Sequence, residues 1–254
     1  MPDLLRASSV MPSGQFIVSE PVVRRVPGYL PRLLAATSAI LCWLSFFPAN
    51  QGWCAWFALV PLLILVRSQM TTRAAVFTAW LIGLPLFVAT LQWVRVAHPM
   101  MYFAWLALAF YCSLYFPLAI WLLRRIDRLS GVPFALSLPV VWTALEYLRT
   151  YVGGGFAWYF LGHTQHEFLP LIQVADLGGA YLITFLVAAV NGLLFEALCQ
   201  WPLFRKLARI SPSPKKPLLV PAAITTLALI GALGYGWWRL GQTDFVAGPT
   251  VALL

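Results

Sequence analysis

Charge is scarce in this 254-residue chain, and acidic charge is scarcest. There are eight Asp and Glu against seventeen Lys and Arg, and charged residues make up 10% beside 61% apolar. A soluble globular domain carries about a quarter charged and under half apolar residues. A water-soluble enzyme, a disordered tail and a nucleic-acid-binding module are therefore excluded as descriptions of the whole chain. Cysteine is sparse too: Cys42, Cys54, Cys112 and Cys199 show no C-x-x-C spacing and lie in or beside apolar runs. There Cys behaves as a small hydrophobe, so neither a disulfide framework nor a zinc site is expected. Ser-x-x-Lys, G-x-S-x-G, H-E-x-x-H, P-loop and G-x-G-x-x-G signatures are missing from any credible context, and no internal repeat is found. Residues 1–28 lack the apolar stretch and small-residue cleavage site of a secretory signal, and Arg24-Arg25 lacks twin-arginine flanks.

Long apolar runs are plentiful. They are continuous, without the period-2 alternation of a membrane barrel, so helices that satisfy their own backbone are the expected spanning elements. Seven segments qualify: 33–47, 53–66, 74–94, 100–123, 132–148, 177–198 and 218–238. A span needs about 20 residues, which makes the first two short. They read either as two spans or as a re-entrant hairpin turning at Pro48-Ala49-Asn50-Gln51-Gly52, and either way the chain returns to its starting side. The expected fold is an all-α polytopic membrane protein of about seven transmembrane helices. Lys and Arg set its orientation. With the N-terminus in the cytoplasm, the inside segments hold Arg6, Arg24, Arg25 and Arg32; Arg67 and Arg73; Arg124, Arg125 and Arg128; and Arg205, Lys206, Arg209, Lys215 and Lys216. Only Arg95, Arg149 and Arg239 fall outside, and the C-terminus is then periplasmic. The stretch Ser211-Pro-Ser-Pro-Lys-Lys-Pro217 reads as a stiff, solvated linker.

The remaining polar residues gather on the outer side: His98, His163, His166, Arg95, Glu167, Asp176 and, close by, Glu146 and Arg149. In Trp142-x-x-x-Glu146-x-x-Arg149 the spacings of three and four put the three side chains on one helical face. An ionisable residue within a span is a functional candidate by default. Two readings stand: a Glu–Arg pair that neutralises itself and fixes packing, or an Arg149 that meets a lipid phosphate while Glu146 orients it. The glycines at 153–155 and the aromatic Trp158-Tyr159-Phe160 read as an interfacial segment or as a plain aromatic belt with a flexible turn. His163, His166 and Glu167 lie on a loop with no second cluster, so no metal site is expected. Asn191 and Glu196 read as helix–helix contacts, and Asp176 as a cap for the sixth helix.

The stretch Trp142-Thr-Ala-Leu-Glu-Tyr-Leu-Arg149, then Gly155-Phe-Ala-Trp158 and Leu161-Gly-His-Thr-Gln165, resembles the apolipoprotein N-acyltransferases of the bacterial inner membrane. Their pattern there is W-x-x-x-E-[FWY]-L-R, G-F-P-W and G-[YH]-[ST]-Q. Leu44-Ser-Phe-Phe-Pro48, Leu59-Val-Pro-Leu62, Leu91-Gln-Trp-Val94, Phe110-Tyr-Cys-Ser-Leu-Tyr115 and Leu171-Ile-Gln-Val-Ala-Asp-Leu-Gly-Gly-Ala-Tyr181 resemble the family in order. Ala157 departs from the family's proline. The resemblance implies transfer of an acyl chain from a phospholipid donor to the α-amine of a lipoprotein's N-terminal diacylglyceryl-cysteine. It implies an enzyme thioester on a Cys, with a Glu base and an assisting Lys, in a nitrilase-like domain and without a cofactor.

On that resemblance residues 1–28 are a cytoplasmic segment, 29–240 the transmembrane domain and 241–254 the truncated start of the nitrilase-like domain. The catalytic triad would lie beyond residue 254, so no catalytic residue and no acyl transfer are expected of this polypeptide alone. Its candidate substrate-binding residues are Trp93, Arg95, Glu146, Arg149, Trp158, His163 and Gln165. The rival readings are a non-catalytic membrane scaffold or lipid-binding protein and, less well supported because charges avoid the midplane, a small transporter. Orientation is directly testable. A tag on Leu254 should react with a membrane-impermeant reagent in intact spheroplasts; reaction only after lysis would reverse it.

Overall fold

The architecture follows from one constraint, that lipid offers no hydrogen bonds to a backbone. The computed structural model describes residues 29–96, 98, 100–210, 218–242 and 248, and its described regular elements are helices, with one isolated antiparallel bridge between Ser68 and Ile210. The expected N-terminal segment, the Ser-Pro linker and most of the 241–254 segment lie outside the described residues. The chain is an all-α polytopic membrane protein. Among the described residues four helices are long and apolar enough to cross a bilayer: Thr72–Thr90, Met101–Leu129, Ala175–Cys199 and Leu219–Leu240.

The first two apolar segments are short, as expected. Helix α1 is Leu30–Ser45, and the second segment is broken into a 3-10 turn Gly52–Cys54, α2 (Ala55–Ala58) and α3 (Val60–Arg67). Pro61, in the first turn of α3, has no N–H to continue a helix from α2. Asn191 repairs the break: its Nδ2 donates to Ala55 O at 2.8 Å and its Oδ1 accepts from Leu59 N at 2.8 Å. The helix–helix contact expected of Asn191 is thus a splint for a broken helix.

Helix α4 is Thr72–Thr90, capped by the Thr71 hydroxyl. It stops before the expected residue 94, and residues Gln92–Val96 tighten into a 3-10 turn. The fourth apolar segment divides into α5 (Met101–Ser113) and α6 (Tyr115–Leu129). Pro117 cannot donate to the Ser113 carbonyl, which places the division. Helix α7 is Phe134–Arg149, α8 is Leu169–Ile172, α9 is Ala175–Cys199, α10 is Pro202–Ala208 and α11 is Leu219–Leu240.

At the basic end of the bundle, buried charges join four elements. Arg67 forms a two-atom pair with Asp127 of α6, with one contact at 2.8 Å, and lies 3.9 Å from Glu196 of α9. Its guanidinium sits 4.6 Å over the Phe134 ring of α7. Glu196 accepts from Phe134 N at 3.0 Å, and Arg124 donates to the carbonyls of Leu65 and Met70. At the opposite, aromatic end, Asp176 does not cap α9. Its carboxylate takes Arg239 Nε at 2.9 Å and Tyr235 Oη at 2.8 Å from α11. The helical ladder around Asp176 is interrupted at Gly178 and Gly179, where φ reaches 62°.

Helices α7 and α9 meet backbone to backbone. A Cβ on Gly192 would stand 2.2 Å from Phe134 O, whereas one on Gly231 or Gly234 would meet nothing within 4 Å. Gly192→Ala should therefore lower thermal stability in detergent by about 1–3 kcal/mol. Gly231→Ala should stay within about 1 kcal/mol of the parent. Equal effects would refute the close approach.

Candidate functional site

Glu146 sits in the last turn of α7, 6% exposed, and receives donors from three directions. Trp142 Nε1 reaches it at 3.0 Å from one turn earlier. Leu161 N donates at 2.8 Å from the loop beyond, and Thr184 Oγ1 donates at 2.7 Å from α9. Thr184 in turn accepts from Gly162 N at 2.8 Å. Gly162 allows the contact, since a Cβ there would stand 2.4 Å from Ala180 O. The carboxylate therefore ties α7, the loop and α9 together.

Arg149 is 3% exposed. It does not hydrogen-bond to Glu146; its Nη2 donates to the carbonyls of Trp158 at 2.9 Å and Tyr159 at 3.3 Å. The guanidinium lies among the rings of Phe160, Phe87 and Tyr115, at 5.1, 5.5 and 5.8 Å from their centroids. Of the two sequence readings, a packing role fits this geometry, but through the loop carbonyls and not through a direct ion pair. The loop reverses at glycines 153, 154 and 155, all at positive φ, backbone that side chains resist. Gln165 closes the loop's far end: its Nε2 donates to Gly52 O at 2.8 Å, and its Oε1 accepts from Trp56 Nε1 at 3.0 Å.

These bonds hold up an aromatic wall. Trp158 is exposed, stacks on Phe156 at 5.8 Å and faces Trp93 at 6.2 Å. Behind it lies a vestibule of about 330 Å³, lined by Phe46, Phe47, Asn50, Trp158, Tyr159, His163 and His166, with Ser45. Burial, with the Arg149 charge nearby, pushes the His163 imidazole below its usual pKa. His163 Nδ1 accepts from Phe160 N at 3.4 Å. Phe46 and Tyr159 also line a second, narrow cleft that runs into the bundle beside Glu146 and Arg149. Of the candidate residues, Trp158 and His163 line the vestibule, and Glu146 and Arg149 line the cleft. Gln165 serves as a strut, and Arg95 lies over the Trp105 ring at 5.4 Å.

The family profile described as the apolipoprotein N-acyltransferase N-terminal domain matches residues 38–193. The chain belongs to the apolipoprotein N-acyltransferase family. It is 35% identical over 236 residues to the apolipoprotein N-acyltransferase of Rhodopirellula baltica, an alignment covering 87% of this chain and 40% of that protein. The Geobacter metallireducens enzyme of the same name is 32% identical over 243 residues, covering 91% of this chain and 45% of the relative. The Pasteurella multocida one is 30% identical over 208 residues, 79% of this chain and 37% of the relative. The chain thus spans about two-fifths of the length of these N-acyltransferases, and what it supplies to the family is an N-terminal membrane domain.

Three residues of this site carry little signal in the sequence: Thr184, Phe46 and Tyr159. Thr184 sits in a long apolar run with nothing local to mark it. Tyr159 reads from sequence only as an aromatic ring, yet it holds φ at 56° and donates to Thr90 O at 2.6 Å. Thr184→Val keeps the volume and removes two hydrogen bonds, so stability should fall by about 1–3 kcal/mol. Hydrogen exchange should rise selectively in residues 156–165. Unchanged exchange there would show that the loop does not hang on Glu146 and Thr184.

Proposed function

We propose that the chain is the membrane domain of a bacterial apolipoprotein N-acyltransferase. It spans the inner membrane about seven times, with its N-terminus cytoplasmic and its aromatic end periplasmic. The observation that carries the reading is the vestibule of about 330 Å³ behind a pinned aromatic loop. Its walls suit two greasy partners, a phospholipid acyl donor and the diacylglyceryl-cysteine of a lipoprotein, entering sideways from the bilayer. Trp93 and Trp158 contact the chains at the interface, where amphipathic rings are at home. His163 offers a neutral polar edge. Arg95 is the candidate for a headgroup phosphate; the enclosed Arg149 meets no headgroup while the loop is in place.

The bond-making chemistry lies outside these 254 residues. Acyl transfer through a thioester needs an accessible, activated thiolate. Cys42, Cys54 and Cys112 are buried, and Cys199 is at the opposite, basic end of the bundle. The same reading makes residues 241–254 the entry into a nitrilase-like domain.

Two measurements test this. The purified chain should form no N-acylated product from phosphatidylethanolamine and a diacylated lipopeptide, and product formation would overturn the division of labour. Binding of that lipopeptide in micelles should weaken about ten-fold in Trp158→Ala, roughly 1.4 kcal/mol. It should hold in Trp237→Ala, which is 66% exposed on α11 away from the vestibule. Equal losses would remove the vestibule from the pathway.

A further inference from the structure

Helix α10 is short, yet it has three distinct faces. Phe204 and Ala208, four residues apart, turn inward: Ala208 is fully buried, and the Phe204 ring meets Phe195 of α9 edge to face at 6.2 Å. Leu203 and Leu207, also four apart, are exposed, and so is Trp201 just before the helix. Arg205 and Lys206, with Arg209 just after the helix, make the third face. A helix lying flat at a membrane surface meets protein, acyl chains and headgroups, and α10 has a face suited to each. Trp201 adds an amphipathic ring of the kind that settles at that depth.

Arg209 is held in an unusual way. It ends the helix in the left-handed region, at φ 50° and ψ 43°. Its N–H donates to Lys206 O and that of Ile210 to Arg205 O, a helix ending that glycine usually makes. An arginine there bears a steric cost that glycine would avoid. The backbone on either side is pinned: Gln69 N donates to Arg209 O at 3.2 Å, and Ile210 forms the bridge to Ser68. The turn from α3 to α4 therefore lies against residue 209, and Arg73 is exposed in the first turn of α4 just beyond it. Helix α1 also packs on α10. Its last residue lines the vestibule, so its first turn, with exposed Arg32, lies at the basic end.

Two sets of cations share this end. Arg67 and Arg124 are buried and matched. Among the described residues Arg32, Arg73, Arg205, Lys206 and Arg209 form no ion pair and no side-chain hydrogen bond. Unmatched cations beside an exposed apolar face complement a ligand that is anionic at one end and apolar at the other. A free anion would leave Leu203 and Leu207 uncovered.

We propose that α10 is an interfacial helix that holds an anionic phospholipid of the phosphatidylglycerol type. Arg205, Arg209 and Arg73 take its phosphate, and its chains lie along Leu203 and Leu207. The proposal is independent of the vestibule, which lies at the other end of the bundle.

Native mass spectrometry of the 254-residue chain, released from detergent with phosphatidylglycerol or phosphatidylcholine of the same chains, tests it. Phosphatidylglycerol should be retained about five-fold better. Arg209→Gly should cut that retention about five-fold without lowering the melting temperature, because glycine suits the backbone there. Arg73→Gln, on a different helix, should cut it similarly. Arg128→Gln, which removes an exposed charge at the end of α6, should leave it unchanged. Equal losses in Arg209→Gly and Arg128→Gln would mean diffuse attraction with no site, and the proposal falls. It falls too if Arg209→Gly retains the lipid in full or if both lipids are retained alike. Displacement by inorganic phosphate, but not by potassium chloride of equal ionic strength, would make this a free-anion site and remove the lipid from it.

Discussion

The aromatic end of this bundle depends on one buried carboxylate. Glu146 is buried inside the bundle, where an unmatched charge costs several kcal/mol. It is tolerated because an indole, a backbone amide and a threonine hydroxyl donate to it. Those donors come from α7, the loop and α9, so satisfying the charge and placing the loop are one event. Were the loop displaced, the carboxylate would lose the Leu161 amide, and Thr184 would be left without the Gly162 amide it accepts. Arg149 works in the same direction by holding the carbonyls of Trp158 and Tyr159. The acid takes one N–H of the loop and the base takes two of its carbonyls, so a segment with glycines at three positive-φ positions keeps one shape with only short 3-10 turns.

The basic end uses the same physics for a different purpose. Arg67 pairs with Asp127 and lies beside Glu196, while Arg124 satisfies the carbonyls of Leu65 and Met70. This cluster joins the ends of α3, α6, α7 and α9, as expected of charges that must be matched in a poorly solvated place. Two polar clusters therefore clamp the bundle from both ends, and between them Asn191 splints the broken pair α2 and α3. Ion-pair chemistry alone would not tell a scaffold from a site. Beside Glu146 and Arg149 there is open space with aromatic rings around it.

Much of this is legible in the residues alone. The continuous apolar runs point to the helical class, and in the bundle Arg67, Arg124 and Glu196 gather at one end and Arg149, Asp176 and Arg239 at the other. The short first pair is legible, because neither run is long enough. The division between α5 and α6 lies in Pro117, but a continuous apolar run hides it. Asp176 reads as a cap because only its neighbours in sequence are visible; its partners are 59 and 63 residues on, in α11. Distance along the chain also hides Thr184, 38 residues from Glu146, and the strut from Gln165 to Gly52 across 113 residues. Motif reading finds Glu146, Arg149, Trp158 and His163 because they cluster locally. It cannot divide them into residues that build the wall and residues that face the space behind it.

That division has a physical rationale. On the proposed function, a site that draws lipids sideways from a bilayer cannot enclose them in polar contacts, because a lipid chain offers none. Selectivity must come from shape, and shape at a membrane interface needs backbone that holds still without a sheet or long helix to brace it. Buried polar groups can brace it, because in low dielectric each hydrogen bond is stronger and each broken one more costly. Placing Glu146 and Arg149 behind the aromatic wall turns their electrostatic cost into rigidity of Trp158 and Tyr159. The most conspicuous charges of the domain therefore act by holding the loop that carries these rings.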